Sequence, residues 1–226
     1  MIDQSTPKGR ILAAALACAG TRSWAEVSLL DIAEHAKVPL GEMRDLFPSR
    51  NAIIAELMRT VDAQVLSRIE RAQGQGKRDL LFDVLMTRFD VLAPYKAALK
   101  SVAAAGGGDV TLLRPLLSSQ HWMLAAAGIE TSGSAGALRV AGLAAIYASV
   151  FRVWLEDDDP GHARTMATLD RRLRRGERAL RQADGVAVSF ARLASAGPAF
   201  LRALWRGRGH DGRTAEPASE PDQPNT

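Results

Sequence analysis

The apolar residues of this chain recur at intervals of three and four, the spacing that places them on one face of an α-helix. Ile11, Leu12, Ala15, Leu16 and Ala19 set this pattern near the start of the chain. No alternation of apolar and polar residues persists between turn residues, and aromatic residues make up only 5% of the sequence, so strand signals are almost absent. The sequence therefore predicts an all-α fold.

The cysteine content and the first residues indicate the compartment. The single cysteine, Cys18, has no partner for an intramolecular disulfide, and no histidine or cysteine pairs stand at metal-ligand spacing. The polar residues Asp3, Gln4 and Lys8 occupy the region where a secretory signal would have an unbroken apolar run. We therefore expect a cytoplasmic protein without a disulfide framework or a zinc module.

Four helix starts are marked within the first fifty residues. The first helix is predicted from about Pro7 to residue 19. Ser28, with Asp31 three positions later, forms a capping box that starts a second helix at residue 29. Pro39 suits the first position of a short third helix, and Ser49 can cap a long helix predicted over about residues 50–73.

The stretches "ILAAALACAG" and "VSLLDIAEHAKVPLGEMRDLFPSRNAI", with the spacing between them, resemble the N-terminal module of the TetR family of bacterial transcriptional regulators. The resemblance implies a TetR-like fold, in which residues 1–57 form a helix-turn-helix module and the second helix of the pair enters the major groove of DNA. The residues that carry it are Ala15, Gly20, Ser28, Ile32, Ala33, Ala36, Val38, Gly41, Phe47, Pro48, Ser49 and Ala52.

The resemblance also implies a set of DNA contacts, with Ser28 and Arg50 directed at phosphates. The candidate DNA-binding residues are Ser28, Lys37, Leu40, Gly41, Arg44 and Arg50. The third helix departs from the family pattern, because Pro39, Arg44 and Leu46 replace residues that usually contact DNA. Glu42 and Asp45 leave residues 39–46 with a net charge of −1, so we expect weaker DNA binding than the fold alone implies.

Residues 58–184 are predicted to form a larger helical domain for ligand binding and dimerisation, after a polar break at about residue 73. Its large apolar residues are candidates for a ligand pocket, although ordinary core packing is the simpler explanation of each one. The candidate pocket residues are Met86, Phe89, Trp122, Met123, Phe151 and Trp154.

The run from residue 135 to residue 155 is apolar enough to suggest a membrane span. Arg139 and Arg152 interrupt it near both ends, and small residues repeat along one face, so we interpret it as a buried helix that packs closely on others. The TetR resemblance implies a homodimer through the last two body helices. The candidate interface residues are Ala137, Ala141, Ala144, Ala148 and Leu169.

The stretch "FRVWLEDDDPGHARTMATLDRRL" is similar to a C-terminal segment of the lipid-binding accessory proteins of ubiquinone biosynthesis, which share the TetR architecture but do not act as DNA-binding repressors. The shared pattern is Trp154, Asp158, Thr165, Leu169, Asp170, Arg171 and Arg172. This second resemblance implies a different function, the binding of an isoprenoid or acyl lipid. Residues 185–205 fit a basic amphipathic helix that docks on the body or lies on a membrane surface, and residues 206–226 have the composition of a disordered tail.

The sequence indicates no catalytic site, metal site or cofactor, because the four histidines are scattered and Asp157, Asp158 and Asp159 stand where they can cap a helix. We therefore predict a regulator, in particular a ligand-responsive repressor, that binds operator DNA as a homodimer and responds to a small apolar effector. The alternative is a TetR-fold protein that binds a lipid in place of specific DNA, with peripheral membrane contact through the C-terminal helix.

Overall fold

The computed structural model describes residues 2–70, 74–106 and 110–183, and all regular secondary structure within these ranges is helical. The all-α prediction is therefore confirmed. The nine α-helices of the described residues are α1 (Pro7–Thr21), α2 (Leu29–Ala36), α3 (Leu40–Leu46), α4 (Arg50–Leu66), α5 (Lys77–Leu92), α6 (Lys96–Gly106), α7 (Leu113–Ala126), α8 (Gly133–Leu155) and α9 (Ala163–Ala183). The predicted helix at 185–205 and the predicted disordered tail at 206–226 lie outside the described residues.

Helices α1–α3 form the head of the molecule. The predicted capping box is present, since the Ser28 hydroxyl accepts from the backbone N–H of Asp31 and the Asp31 carboxylate accepts from the backbone N–H of Ser28. Lys37 ends α2 in a left-handed conformation, with φ of 54°. Helix α3 begins at Leu40, one residue later than predicted, because Pro39 is the extended residue that precedes the helix.

A small apolar core holds the head together. Its central side chains are Ile11, Val27, Ile32, Met43 and Phe47, each at most 2% exposed. Burial of one such side chain stabilises a fold by about 1.5–3 kcal/mol. Most of the residues behind the TetR resemblance therefore have a packing role, whatever the head binds.

Helix α4 joins the head to the body, which consists of α5–α9. It ends at Leu66, shorter than the predicted helix to residue 73. Its buried residues Ile53, Leu57, Val61 and Val65 belong to the common core, and α4 packs against α1 on one side and α5 and α7 on the other. The predicted boundary after residue 57 thus falls inside a continuous helix that both parts share.

Four aromatic rings lie at the centre of the body. Phe89 stacks on Tyr147 and Trp154 with ring centroids 5.5 and 5.4 Å apart, and Phe151 stacks on the same two rings at 5.9 and 5.6 Å. Stacked aromatic pairs of this kind add about 0.5–1.5 kcal/mol each beyond the area that they bury. This cluster fixes the packing of α8 on α5.

Among the described helices, α8 alone is long and apolar enough to cross a membrane by length and composition. It packs against α6, α7 and α9, and its residues Tyr147, Val150 and Trp154 are buried in the core of the body. A core helix meets the same two criteria, and burial accounts for the apolar residues on this side of α8.

The corner between α8 and α9 depends on Asp157, which is 4% exposed. Its Oδ2 atom accepts from the backbone N–H of Thr165 at 2.8 Å and from the Thr165 hydroxyl at 2.5 Å, so it satisfies the first turn of α9. Burial alone would raise the pKa of Asp157, but the hydrogen bonds from Thr165 outweigh it and hold this pKa below its usual range. Asp158, which the sequence pattern singled out, is exposed and takes no part in this cap.

Replacement of this cap should destabilise the body. We expect Asp157→Ala to lower the free energy of unfolding by about 1–2 kcal/mol near neutral pH, measured by urea denaturation. A carboxyl group with a lowered pKa stabilises the folded state only while it is ionised. The difference should therefore be full above the ordinary pKa of 3.8 and shrink as the pH falls through the lower value of the folded state.

Asp158→Ala is the matched control, because it removes the same charge from the next, exposed residue. We expect it to change stability by less than about 0.5 kcal/mol. Equal losses for the two variants would contradict the role of Asp157 in the cap.

Candidate functional site

The outer face of α3 is the surface that a helix-turn-helix protein would turn toward DNA. Leu40 is 50% exposed, and Gly41, Glu42, Arg44 and Asp45 are exposed with it. Arg44 forms an ion pair with Asp45 at 3.5 Å, but both side chains are mostly exposed, so the pair is worth little and Arg44 can leave it. The surface is accessible and mixed in charge, with apolar side chains among the polar ones.

The two predicted phosphate contacts already have partners within the head. The Ser28 hydroxyl hydrogen-bonds Asp31, and hydrogen bonds from Ser28 and Arg22 hold the pKa of Asp31 well below its ordinary range. The Arg50 guanidinium donates to the backbone carbonyls of Trp24 and Val27, each at 2.6 Å. It also lies 5.5 Å from the centroid of the Trp24 ring. Arg50 therefore fixes the connection between α1 and α2. Of the three basic residues predicted to contact DNA, Lys37 and Arg44 are the two whose side chains are exposed to solvent.

The charge of the segment that contains α2 and α3 does not favour DNA. Residues 22–50 contain Glu26, Asp31, Glu34, Glu42 and Asp45 against Arg22, Lys37, Arg44 and Arg50, a net charge of −1 with histidine neutral. Helix α9 instead contains seven arginines against Asp170 and Glu177, a net charge of +5. The basic excess of the chain therefore lies on the last described helix of the body, outside the helix-turn-helix face.

A cavity of about 100 Å³ lies in the body beside α4 and is partly open to solvent. Its walls come from α4, α5, α6, α7 and α8 and are almost wholly apolar. The lining residues are Ile54, Leu57, Met58, Val61, Arg88, Leu92, Leu99, Val102, Ala103, Leu112, Leu113, Leu116, Tyr147, Ala148 and Phe151.

Of the six predicted pocket residues, only Phe151 lines this cavity. Phe89, Met123 and Trp154 are fully buried in the core, which is the packing explanation that the sequence left open. Met86 is partly buried against the core, and Trp122 is 52% exposed on the surface of α7. All six residues lie on helices that line the cavity, but only Phe151 lies on a face that these helices turn to it.

A buried polar cluster lies at the cavity wall, and it was not predicted from the sequence. Arg88, 3% exposed, lines the cavity and forms an ion pair with Asp62 at 2.7 Å. Ser119 accepts from Arg88 and donates to Asp62 at 3.0 Å, and the Arg88 guanidinium lies 4.8 Å from the centroid of the Tyr147 ring. Burial raises the pKa of Asp62 against the attraction of Arg88, and burial also raises the pKa of Tyr147. A signal was available, since Arg88 stands at helical spacing from Leu85 and Leu92 on the core face of α5.

The predicted dimer contacts are only partly at the surface. Ala144, Ala148 and Leu169 are buried within their own chain, and Ala148 lines the cavity, so a second subunit has no access to these three side chains in this conformation. Ala137 is exposed and Ala141 is half-buried. The reason is the rotation of α8, which turns the second half of its small-residue stripe, Ala144 and Ala148, toward helices of the same body.

A second apolar depression, of about 300 Å³, lies between α1 and the start of α6. Ala13, Leu16, Ala17, Ala97 and Ala98 contribute to its walls, and none of the described residues that line it is charged. It is larger than the cavity beside α4, but it offers a ligand no charged anchor. We therefore favour the cavity beside α4 as the ligand site.

Comparison with solved structures identifies the fold. The crystal structure of a TetR transcriptional regulator from Nitrosomonas europaea ATCC 19718 superposes with a TM-score of 0.60 at 21% identity, over 75% of this chain and 97% of that chain. That of a TetR transcriptional regulator from Rhodococcus sp. RHA1 superposes with a TM-score of 0.59 at 18% identity, over 77% of this chain and 97% of that chain. Comparison with curated protein sequences gives no match.

A family model points to the second resemblance. The COQ9 model matches residues 139–179, which comprise most of α8, the corner at Asp157 and most of α9. The matched residues form the α8–α9 pair, and Tyr147, Ala148 and Phe151 of α8 line the cavity. The chain therefore has the fold of TetR transcriptional regulators, and residues 139–179 of its body are similar to COQ9.

Proposed function

We propose that this chain is a TetR-fold binding protein that takes an apolar, lipid-like ligand into the cavity beside α4, and that its head does not read DNA sequence. The observation that carries the proposal is the distribution of charge, with a net −1 on residues 22–50, which include α2 and α3, and +5 on α9. The polar cluster at the cavity and the similarity of residues 139–179 to COQ9 support the ligand. The proposal describes a binding protein and assigns it no catalytic step.

Charge is decisive for the head because phosphate contacts supply most of the affinity on which sequence recognition is built. A protein gains this affinity by bringing lysine and arginine to the phosphates. Here Arg50 is held by carbonyls of the head, and Glu42 and Asp45 flank Arg44 on α3. The exposed α3 face therefore repels a duplex about as much as it attracts one.

The size of the cavity limits what it holds. Its volume of about 100 Å³ is below the ~300 Å³ at which small-molecule pockets begin. As it stands, the cavity accepts a short apolar segment, and a longer chain has to extend through the open side or displace adaptable side chains. Met58 is such a side chain, because its unbranched thioether adopts several rotamers at little cost.

The second candidate function is the ligand-responsive regulator that binds duplex DNA as a homodimer. Two solved structures that share the fold are TetR transcriptional regulators, which favours it. The cavity is lined by α4 and α6, and both helices pack against α1 of the head. A ligand that widens the cavity would displace the head and change the separation of two heads in a dimer.

The homodimer is part of this second candidate. A Cβ atom at Gly142 would meet nothing within 4 Å, so that side of α8 is open in the protomer. Small residues allow two helices to approach closely. We propose that a partner subunit packs on α8 along this open side and not along the buried stripe. Membrane contact through residues 185–205 remains a prediction from the sequence.

A larger side chain that fills the cavity should weaken ligand binding. We expect Ala103→Phe, on α6, to weaken the binding of the neutral fluorescent probe N-phenyl-1-naphthylamine by about tenfold or more, because the new ring occupies the volume that the probe needs. Ala97→Phe is the matched control, because Ala97 lies on the same helix but lines the depression at α1. Loss of binding in the control variant alone would place the ligand in the depression and contradict the proposal.

A change of charge on α3 should reveal how the head meets DNA. We expect the natural protein to bind promoter fragments and scrambled duplex equally weakly. Glu42→Gln/Asp45→Asn should raise affinity for both alike, about severalfold at low salt, because two charges that repel phosphates are removed. Glu156→Gln/Asp158→Asn makes the same charge change at the exposed α8–α9 corner and should leave DNA affinity unchanged.

Fluorescence anisotropy on both duplexes over a salt series measures these affinities. A natural protein that prefers one genomic fragment over its scrambled version at physiological salt would establish the regulator and contradict the proposal for the head.

A further inference from the structure

The cavity wall contains one charged residue among the described residues that line it, Arg88. A buried ion pair is expensive, and apolar residues of similar volume in its place are often neutral or stabilising. Arg88 and Asp62 are therefore poorly explained by stability alone. A ligand that uses the guanidinium gives the pair a function.

One of the hydrogen-bond donors of Arg88 has no acceptor. Its Nη1 atom serves both Asp62 and Ser119, while its buried Nε–H has no hydrogen-bond partner. A buried donor without an acceptor destabilises the fold, because it has lost its hydrogen bond to water. Arg88 thus has an unused donor at the wall of a largely apolar cavity, and one such donor suffices to orient the single polar group of an otherwise apolar ligand.

The charge of the cluster selects the kind of acceptor. Asp62 lies 2.7 Å from Arg88 and balances its charge, so the pair is neutral as a unit. An anionic ligand would add a second negative charge in a site with little water, which is unfavourable unless a further cation balances it. A neutral oxygen accepts the same hydrogen bond without that cost.

We infer that Arg88 is the polar anchor of the ligand, and that the ligand carries a neutral oxygen acceptor, such as a ketone or ester carbonyl, at the end of its apolar segment. This inference rests on the proposed function, because it specifies the chemistry of the same cavity. Asp62 and Ser119 are positioning residues, since they hold the guanidinium beside the cavity without themselves lining it.

Three probes of one chain length separate the possibilities: octane, 2-octanone and octanoate, each competing with N-phenyl-1-naphthylamine. In the natural protein we expect 2-octanone to bind more tightly than octanoate at a pH of about 8, where the acid is ionised. Arg88→Leu/Asp62→Leu removes both charges together and so leaves no buried charge unpaired. This variant should bind 2-octanone about tenfold more weakly and octane within about threefold of the natural protein.

Arg88→Lys is a second variant, because it keeps the pair with Asp62 but has no Nε–H. It should also lose about tenfold in affinity for 2-octanone, and circular dichroism melting checks that both variants fold. Equal losses for octane and 2-octanone, or tighter binding of octanoate than of 2-octanone, would overturn the inference and leave the apolar cavity in place. Binding of none of the three probes, nor of N-phenyl-1-naphthylamine, would overturn the proposed function itself and the inference with it.

Discussion

The body of this protein is organised around the buried ion pair between Asp62 and Arg88. Asp62 lies on α4, Arg88 on α5, Ser119 on α7 and Tyr147 on α8, so one polar cluster connects four helices. Loss of one partner of such a pair leaves an uncompensated charge and typically costs about 3–5 kcal/mol. The cluster therefore fixes the relative positions of these helices and, with them, the cavity that they enclose.

The same cluster lies on the connection between body and head. Helix α4 contributes Asp62 and the cavity wall, and it continues into the head, where Arg50 at its first turn holds the carbonyls of Trp24 and Val27. Ser101 of α6 adds a second connection, because it accepts from the backbone N–H of Trp24 and donates to the carbonyl of Arg22. A ligand in the cavity thus contacts the elements that position the head. This geometry suits a regulator whose head binds DNA, and the charge of α3 is the feature that argues against DNA as its partner.

Local features of the fold could be predicted from the sequence, while features that depend on helix rotation could not. The capping box at Ser28 and Asp31 was predicted because its signals lie within one turn. Most residues that line the cavity were not predicted. Whether one side of a helix faces the core or the cavity depends on how all neighbouring helices pack, and the sequence of that helix alone does not contain this information. Phe89 and Trp154 point into the aromatic cluster for this reason, and Ala148 faces the cavity and not a second subunit. Arg88 was recognisable as a charged residue at a core position of α5, but its partner on α4 is 26 positions earlier in the chain and no local pattern indicates it.

The central claim is that the body cavity binds a neutral apolar molecule. Native mass spectrometry tests it most directly, with the full chain purified without detergent and desolvated under gentle conditions. We expect a bound species that is extracted into organic solvent and carries no ionisable head group, and that is absent from Ala103→Phe purified in parallel. A protein of bare mass in every preparation, or an adduct that persists unchanged in Ala103→Phe, would contradict it.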